Sequence, residues 1–193
     1  MATRVRSLIT LMLTLGIAFV EVRVGAQTVT AVTSVSVPPT MGDFDTAVSS
    51  YYKVSARDIA VVRQRRVSDE ELPVVMFVAQ EASVTPVTVM DLRARGYSWW
   101  DISVRYRISA EAYYVPVAGN PGPPYDRVFG YYRNKPRSQW NTIVLADADI
   151  LNLVHLRFLS EFYRVTPQRV MELRSRSGDI IAVQRAVAGH GGL

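Results

Sequence analysis

The sequence predicts an all-α protein: an array of short helical hairpins, α-solenoid-like, broken by a long Tyr/Gly/Pro-rich insertion. Three observations carry that expectation. Apolar residues recur at helical spacing over 43–112 and again over 141–188. The unit VTPVTVMDLRAR at 84–95 returns as VTPQRVMELRSR at 165–176 with eight of twelve positions identical, and a weaker copy, VSARDIAVVRQR, stands at 54–65. Each copy opens on residues that start helices. Ser55, Thr85 and Thr166 are N-cap types whose side-chain oxygen accepts from the free amides of the first turn, and Pro86 and Pro167 follow at the first helical position, where a missing N–H costs nothing.

The chain begins MATRVRSLITLMLTLGIAFVEVRVGAQ, with Arg4 and Arg6 ahead of an apolar run from Leu8 to Val20 and with Val24 and Ala26 as small residues before Gln27. This is the three-part pattern of a secretory signal peptide over 1–26. The run of 13 residues is short of the roughly 20 that span a bilayer. An uncleaved anchor is the rival reading, suggested by Glu21 and Arg23. Without the leader, 19 basic and 16 acidic residues remain, a net charge of +3, which is no argument for a polyanionic partner. The chain has no cysteine, so a disulfide framework, a thiol nucleophile, a thiolate metal site and lipidation at a cleavage-site cysteine are all excluded.

Residues 27–42, closed by Pro38-Pro39, read as a flexible tether. Over 43–112 lie repeats one and two, whose starting points are thirty residues apart, the length of one helix pair in a solenoid. In each copy an aliphatic pair three residues apart (Ile59 and Val62, Val89 and Leu92, Val170 and Leu173) marks a buried face. Asp58 completes a capping box with Ser55, and Ser68 with Glu71 and Ser98 with Asp101 repeat that spacing at the next helix starts. Gly96 and Gly178 suit helix exits. About eight short helices are expected in all.

Residues 113–140, with five prolines, read as a long loop insertion. Repeat three fills 141–188, including a helix over 148–163 and a helix start at Asp179, and 189–193 reads as a frayed tail.

With these features in view, the chain resembles a group of exported bacterial proteins of unknown function. The residues that carry the resemblance are the leader, ELPVVMFVAQ with the V(T)P…LR…G…W..I pattern that follows it, the Tyr/Gly-rich insertion, and LADADILNLVHLRFLSEFY. It covers most of 43–188 and implies export and helical repeats but no activity. A second likeness, to the helix-turn-helix of lactose-repressor-type regulators, is confined to 77–92: Ala79, Ala82, Val84, Thr85, Thr88 and Val89 match, while Ser83 stands where a turn glycine is usual.

Candidate chemistry is sparse. The two histidines are His155, inside a predicted helix, and His190 in the tail, and no Ser-His-Asp arrangement can be assembled around them. Asp147, Asp149 and His155, with Asp126 in the insertion, fail as a metal set because Asp149 and His155 are six apart rather than four; the two aspartates instead suit the start of their helix. No catalytic residue, cofactor or metal ligand is expected.

Two features remain as candidate binding surface. The arginine pairs Arg63/Arg65, Arg93/Arg95 and Arg174/Arg176 are helix-end cations in one reading and a ladder for phosphates or carboxylates in the other. The aromatics of the insertion, above all Tyr125, Phe129, Tyr131 and Tyr132, either seal the helical halves or stay exposed as a sticky face. Trp99 and Trp100 are adjacent at a helix start and cannot share one face, so one is core and the other partly exposed.

The function expected from these residues is that of a periplasmic or secreted binding or scaffold protein of the cell envelope. Its partner would be an envelope protein or polymer, with no nucleic acid and with a membrane contacted only through an uncleaved leader. A DNA-binding helix-turn-helix protein is the alternative should the leader not be used.

Overall fold

A computed structural model describes residues 42–119 and 121–189. The expected leader, the tether up to residue 41 and the tail from His190 lie outside the described residues. Within them the chain is all helical: ten α-helices and one 3-10 helix, with no strand.

Hairpins come first. They are formed by α1 (Asp43–Tyr52) with α2 (Ala56–Gln64), α3 (Leu72–Glu81) with α4 (Pro86–Ala94), and α5 (Trp99–Arg105) with the one-turn α6 (Ala110–Tyr113). The second half holds α7 (Asp126–Arg133), the 3-10 helix (Arg137–Thr142), and then α8 (Asp147–Phe162), α9 (Pro167–Arg176) and α10 (Ile180–Ala188).

One turn design joins most of these helices. A residue in the left-handed region ends the helix, a hydrophobic residue follows, and a Ser or Thr opens the next helix or turn. The left-handed residues are Lys53, Arg66, Ser83, Gly96, Arg107 and Arg164, with φ between 53° and 87°. At five of the six the following amide reaches back five residues, as in Val54 N–H to Ser49 O (3.1 Å), Val84 to Ala79 (2.9 Å), Tyr97 to Leu92 (3.3 Å), Ile108 to Ser103 (2.8 Å) and Val165 to Ser160 (3.1 Å). This is the Schellman bond that satisfies the last carbonyls of a helix. The expected caps hold at the other side of four of these turns, whereas Ser68 opens a turn and α3 begins only at Leu72, with Glu71 before it. Ser55 with Asp58 and Ser98 with Asp101 are reciprocal boxes, and Thr85 and Thr166 accept from Thr88 and Arg169. Gly178 does not take a left-handed conformation; α9 ends instead on an extended Ser177.

The helices are not stacked as a solenoid, in which each repeat touches only its neighbours. They surround α8, which packs against α1, α3, α5, α6, α9 and α10. Ten of its sixteen residues are buried, and so is all of Leu72–Ala79 in α3. A helix apolar on every side must be covered on every side, and LPVVMFVA is such a segment. No single helix among the described residues is long and apolar enough to cross a membrane.

The insertion departs most from expectation, because residues 113–140 carry α7 and most of the 3-10 helix rather than a long loop. Tyr125, Phe129 and Tyr132 follow helical spacing, and all three are buried. Tyr114, Phe129, Tyr132 and Trp140 form one aromatic cluster with ring centroids 4.5–6.3 Å apart. The Tyr132 hydroxyl donates to Ala110 O at 2.7 Å, and the Trp140 indole N–H is shared between Tyr132 O and Lys135 O. The rings therefore pack into the core, and Tyr132 reaches the first helical half at Ala110.

Candidate functional site

The first arginine of each repeat does the same structural job. Arg63, Arg93 and Arg174 each donate to the carbonyl four residues on, at Val67 (2.9 Å), Tyr97 (2.8 Å) and Gly178 (2.7 Å), which fixes the turn after the helix. Each also holds carboxylates from elsewhere in the chain. Arg63 binds Asp45 and Asp69, Arg93 binds Glu71 and Asp147, and Arg174 binds Glu70. Two of those carboxylates go on to cap a helix: Asp147 accepts from Trp99 N–H (2.7 Å) and Glu70 from Ile180 N–H (2.9 Å). Arg93 and Arg174 are thus neutralised within the fold and do not form a polyanion ladder. The second arginines differ. Arg65 pairs with Asp91, whereas Arg95 and Arg176 are exposed.

Around His155 the chemistry is structural as well. Nε2 donates to the Glu70 carbonyl at 2.7 Å, which fixes the tautomer because a carbonyl only accepts. Nδ1 lies 3.3 Å from Glu70 Oε2 and has no hydrogen-bond partner. Burial lowers the imidazole pKa to about 4 against the opposing pull of the Glu70 carboxylate and carbonyl. The ring is therefore neutral at pH 7. Burial raises the Glu70 pKa, but the bonds from Arg174 and from Ile180 N–H outweigh it, and the carboxylate stays below its ordinary range. Both ring nitrogens face Glu70. The buried Tyr125 hydroxyl is also without a partner.

The carboxylates considered as metal ligands are dispersed into other roles. Asp149 accepts from Ala146 N–H at 3.1 Å and pairs with Arg127 at 2.7 Å, while Asp147 serves α5 rather than its own helix. Among the described residues no group of three or more His, Asp or Glu side chains could hold a metal ion.

One accessible apolar surface lies at the α4–α5 corner. Of the six hydrophobic residues that follow a left-handed turn residue, Val54, Val67, Val84, Ile108 and Val165 pack into the core, and Tyr97 alone is exposed, at 39%. Trp99 is fully buried with the Arg93 guanidinium 4.4 Å over its ring, and Trp100 is half-buried and packs against the core. Tyr97, Trp100 and Val104, the last 59% exposed, line a shallow, open groove together with Arg95, Asp101 and Arg105. The sole acid in that lining, Asp101, is engaged by the Ser98 N–H and hydroxyl (3.0 and 2.6 Å). Sequence reading included Arg95 but missed Tyr97, Trp100, Val104 and Arg105 as binding surface. The available signal was a tyrosine where the turn pattern elsewhere places an aliphatic residue.

The repressor-like stretch has matching geometry, since α3 and α4 meet at a bend of 115° across a four-residue turn. The second helix, however, runs from Pro86 to Leu92 without a cation, and its first one, Arg93, is already paired. Tyr131, 37% exposed, is the one ring of the four expected at the insertion surface that is not buried.

No family model matches this chain, and neither a curated protein nor a solved structure matches it.

Proposed function

We propose that this is an exported binding or scaffold protein of the cell envelope, periplasmic or secreted, with an envelope protein or polymer as its partner and no catalytic chemistry. Export is supported by Arg4, Arg6, the apolar run from Leu8 to Val20 and the small residues Val24 and Ala26. The binding reading rests on one observation above all: Tyr97 breaks the turn pattern and, with Trp100 and Val104, leaves an aromatic and aliphatic groove open on a set of capped, rigid helices. Exposed apolar surface rimmed by polar groups marks interaction sites, and helix-borne sites are held more firmly than loop-borne ones.

The test is capture from an envelope extract by the tagged protein. Val104→Asp is expected to abolish capture while leaving cooperative melting intact, since Val104 is 59% exposed. Equal capture by this variant would contradict the reading.

A DNA-binding helix-turn-helix is the second reading, favoured by the 115° bend of α3 against α4. It requires a chain that stays in the cytosol with its leader attached. Recovery of the intact leader on a cytosolic product would favour it, and a mature N-terminus at Gln27 would remove it.

A further inference from the structure

The face that α5 turns outward at the α4–α5 corner carries both signs of charge. Asp101, Val104 and Arg105 are exposed and Trp100 is half-buried, while Ile102 and Ser103 lie in the core. Asp101 and Arg105 stand one turn apart, yet neither is in an ion pair among the described residues. The Ser98 N–H and hydroxyl both bond to one oxygen of Asp101, Oδ2, and its other oxygen accepts from nothing among the described residues. A partner of a single charge sign therefore meets a like charge here as well as an opposite one.

Helical spacing sorts these side chains into two edges. At about 100° per residue, Trp100 and Val104 share one edge of the exposed face, and Asp101 and Arg105 share the other. Within each pair the residues are about 6 Å apart along the axis. A two-fold axis that lies in an interface and crosses α5 at right angles near its centre reverses the helix direction but keeps each edge on its own side. It sets Asp101 against Arg105 of the second copy, Arg105 against Asp101 of the second copy, and Trp100 against Val104 of the second copy. A parallel arrangement would set the charged edge against the apolar one and leave both charges unanswered.

We infer that this face pairs with a second copy of the chain, α5 against α5 and antiparallel, with two Asp101–Arg105 ion pairs beside the Trp100 and Val104 contacts. A second copy presents both signs at the required spacing. A shallow surface suits it, because a two-fold contact needs a self-complementary patch rather than a deep pocket. A contact centred on a seven-residue helix is small beside the ~1,200–2,000 Å² of lasting interfaces, so the dimer is weak and depends on concentration. The inference rests on the binding reading above and names the partner of that face.

The experiment is sedimentation equilibrium of the full chain from about 10 µM to about 1 mM, at low and high salt. The average mass is expected to rise from one chain toward two, with weaker association at high salt. A rim ion pair is worth about two- to fivefold and the dimer holds two, so Arg105→Glu should weaken it about tenfold. Val104→Asp should abolish it. Mixing Arg105→Glu with Asp101→Arg sets two acidic residues against two basic ones, and the mixture should associate more tightly than either variant alone. Arg105→Glu and Val104→Asp leave the Ser98 cap in place, so they decide the matter even should Asp101→Arg fail to fold. A chain still monomeric at the highest concentration, or a dimer that Arg105→Glu leaves unchanged, would overturn the inference. If the chain is monomeric while Val104→Asp still abolishes envelope capture, the second copy is the wrong occupant and the binding face stands. If Val104→Asp both captures and dimerises as the wild type does, the reading beneath it fails too.

Discussion

Arg174 grips the carboxylate of Glu70 through two hydrogen bonds of 2.9 Å, between residues 104 apart in sequence. Glu70 also receives the first amide of α10, and its carbonyl receives His155 from α8. One residue in the turn before α3 therefore ties three C-terminal helices to the N-terminal half. Its neighbour Glu71 accepts from Arg93 of α4, within the N-terminal half.

Removing the arginine leaves that partly buried carboxylate without its main partner. Arg174→Ala is expected to cost about 2 kcal/mol, below the range for a fully buried pair because Glu70 retains some solvent contact. Arg176→Ala, two residues on and exposed, should change stability by less than about 0.5 kcal/mol. Urea denaturation of the two variants checks the contrast, and equal losses would mean that Glu70 does not organise the fold.

Acid should act through the same cluster. His155 is buried neutral with a pKa of about 4, against 6.5 in the unfolded chain, so the unfolded state binds more protons between those values. Stability conferred by the neutral ring is complete above about pH 6.5 and is lost as pH falls toward 4, on the order of 3 kcal/mol in all. Glu70, held below its ordinary range, adds a further loss at lower pH as its carboxylate is protonated. Denaturant midpoints measured from pH 7 to pH 4 should fall for the wild type and flatten for His155→Asn. A wild-type profile flat from pH 7 to pH 5 would contradict the buried neutral imidazole.

The left-handed turn residues make opposite predictions for two substitutions. Ser83, at φ 53°, carries a side chain where that backbone strains it, so Ser83→Gly should stabilise by about 0.5–1 kcal/mol. Gly96, at φ 87°, has open space around its Cα, so Gly96→Ala meets strain but no clash and should cost about 1 kcal/mol. Thermal melts of both decide it, and shifts of the same sign would mean the turns are assigned wrongly.

Local features of this fold were legible in the sequence. The capping pairs Ser55 with Asp58 and Ser98 with Asp101, the prolines at the starts of α4 and α9, and the unequal burial of Trp99 and Trp100 all follow from interactions within a few residues. What escaped depends on distance. Nothing near Glu70 announces Arg174 or His155, and nothing in the repeat itself says that α8 will be wrapped rather than stacked. The insertion was a different miss. Tyr125, Phe129 and Tyr132 carry helical spacing, but the surrounding prolines and glycines read as a loop and masked it. Of the candidate surface, Arg93 and Arg174 were lost to carboxylates, and Tyr97 was overlooked because one exposed aromatic is legible only against turns already seen packed.

Site-specific photo-crosslinking in the cell envelope tests the binding face most directly. Val104 and Val144 are both well exposed aliphatics, at 59% and 66%, but only Val104 lies in the groove with Tyr97 and Trp100. A crosslinker at position 104 of the exported protein should give a discrete partner adduct that Trp100→Ala removes, and the same group at position 144 should give none. Equal adducts from both positions, or none from 104 in a protein shown to reach the envelope, would contradict the assignment of that groove.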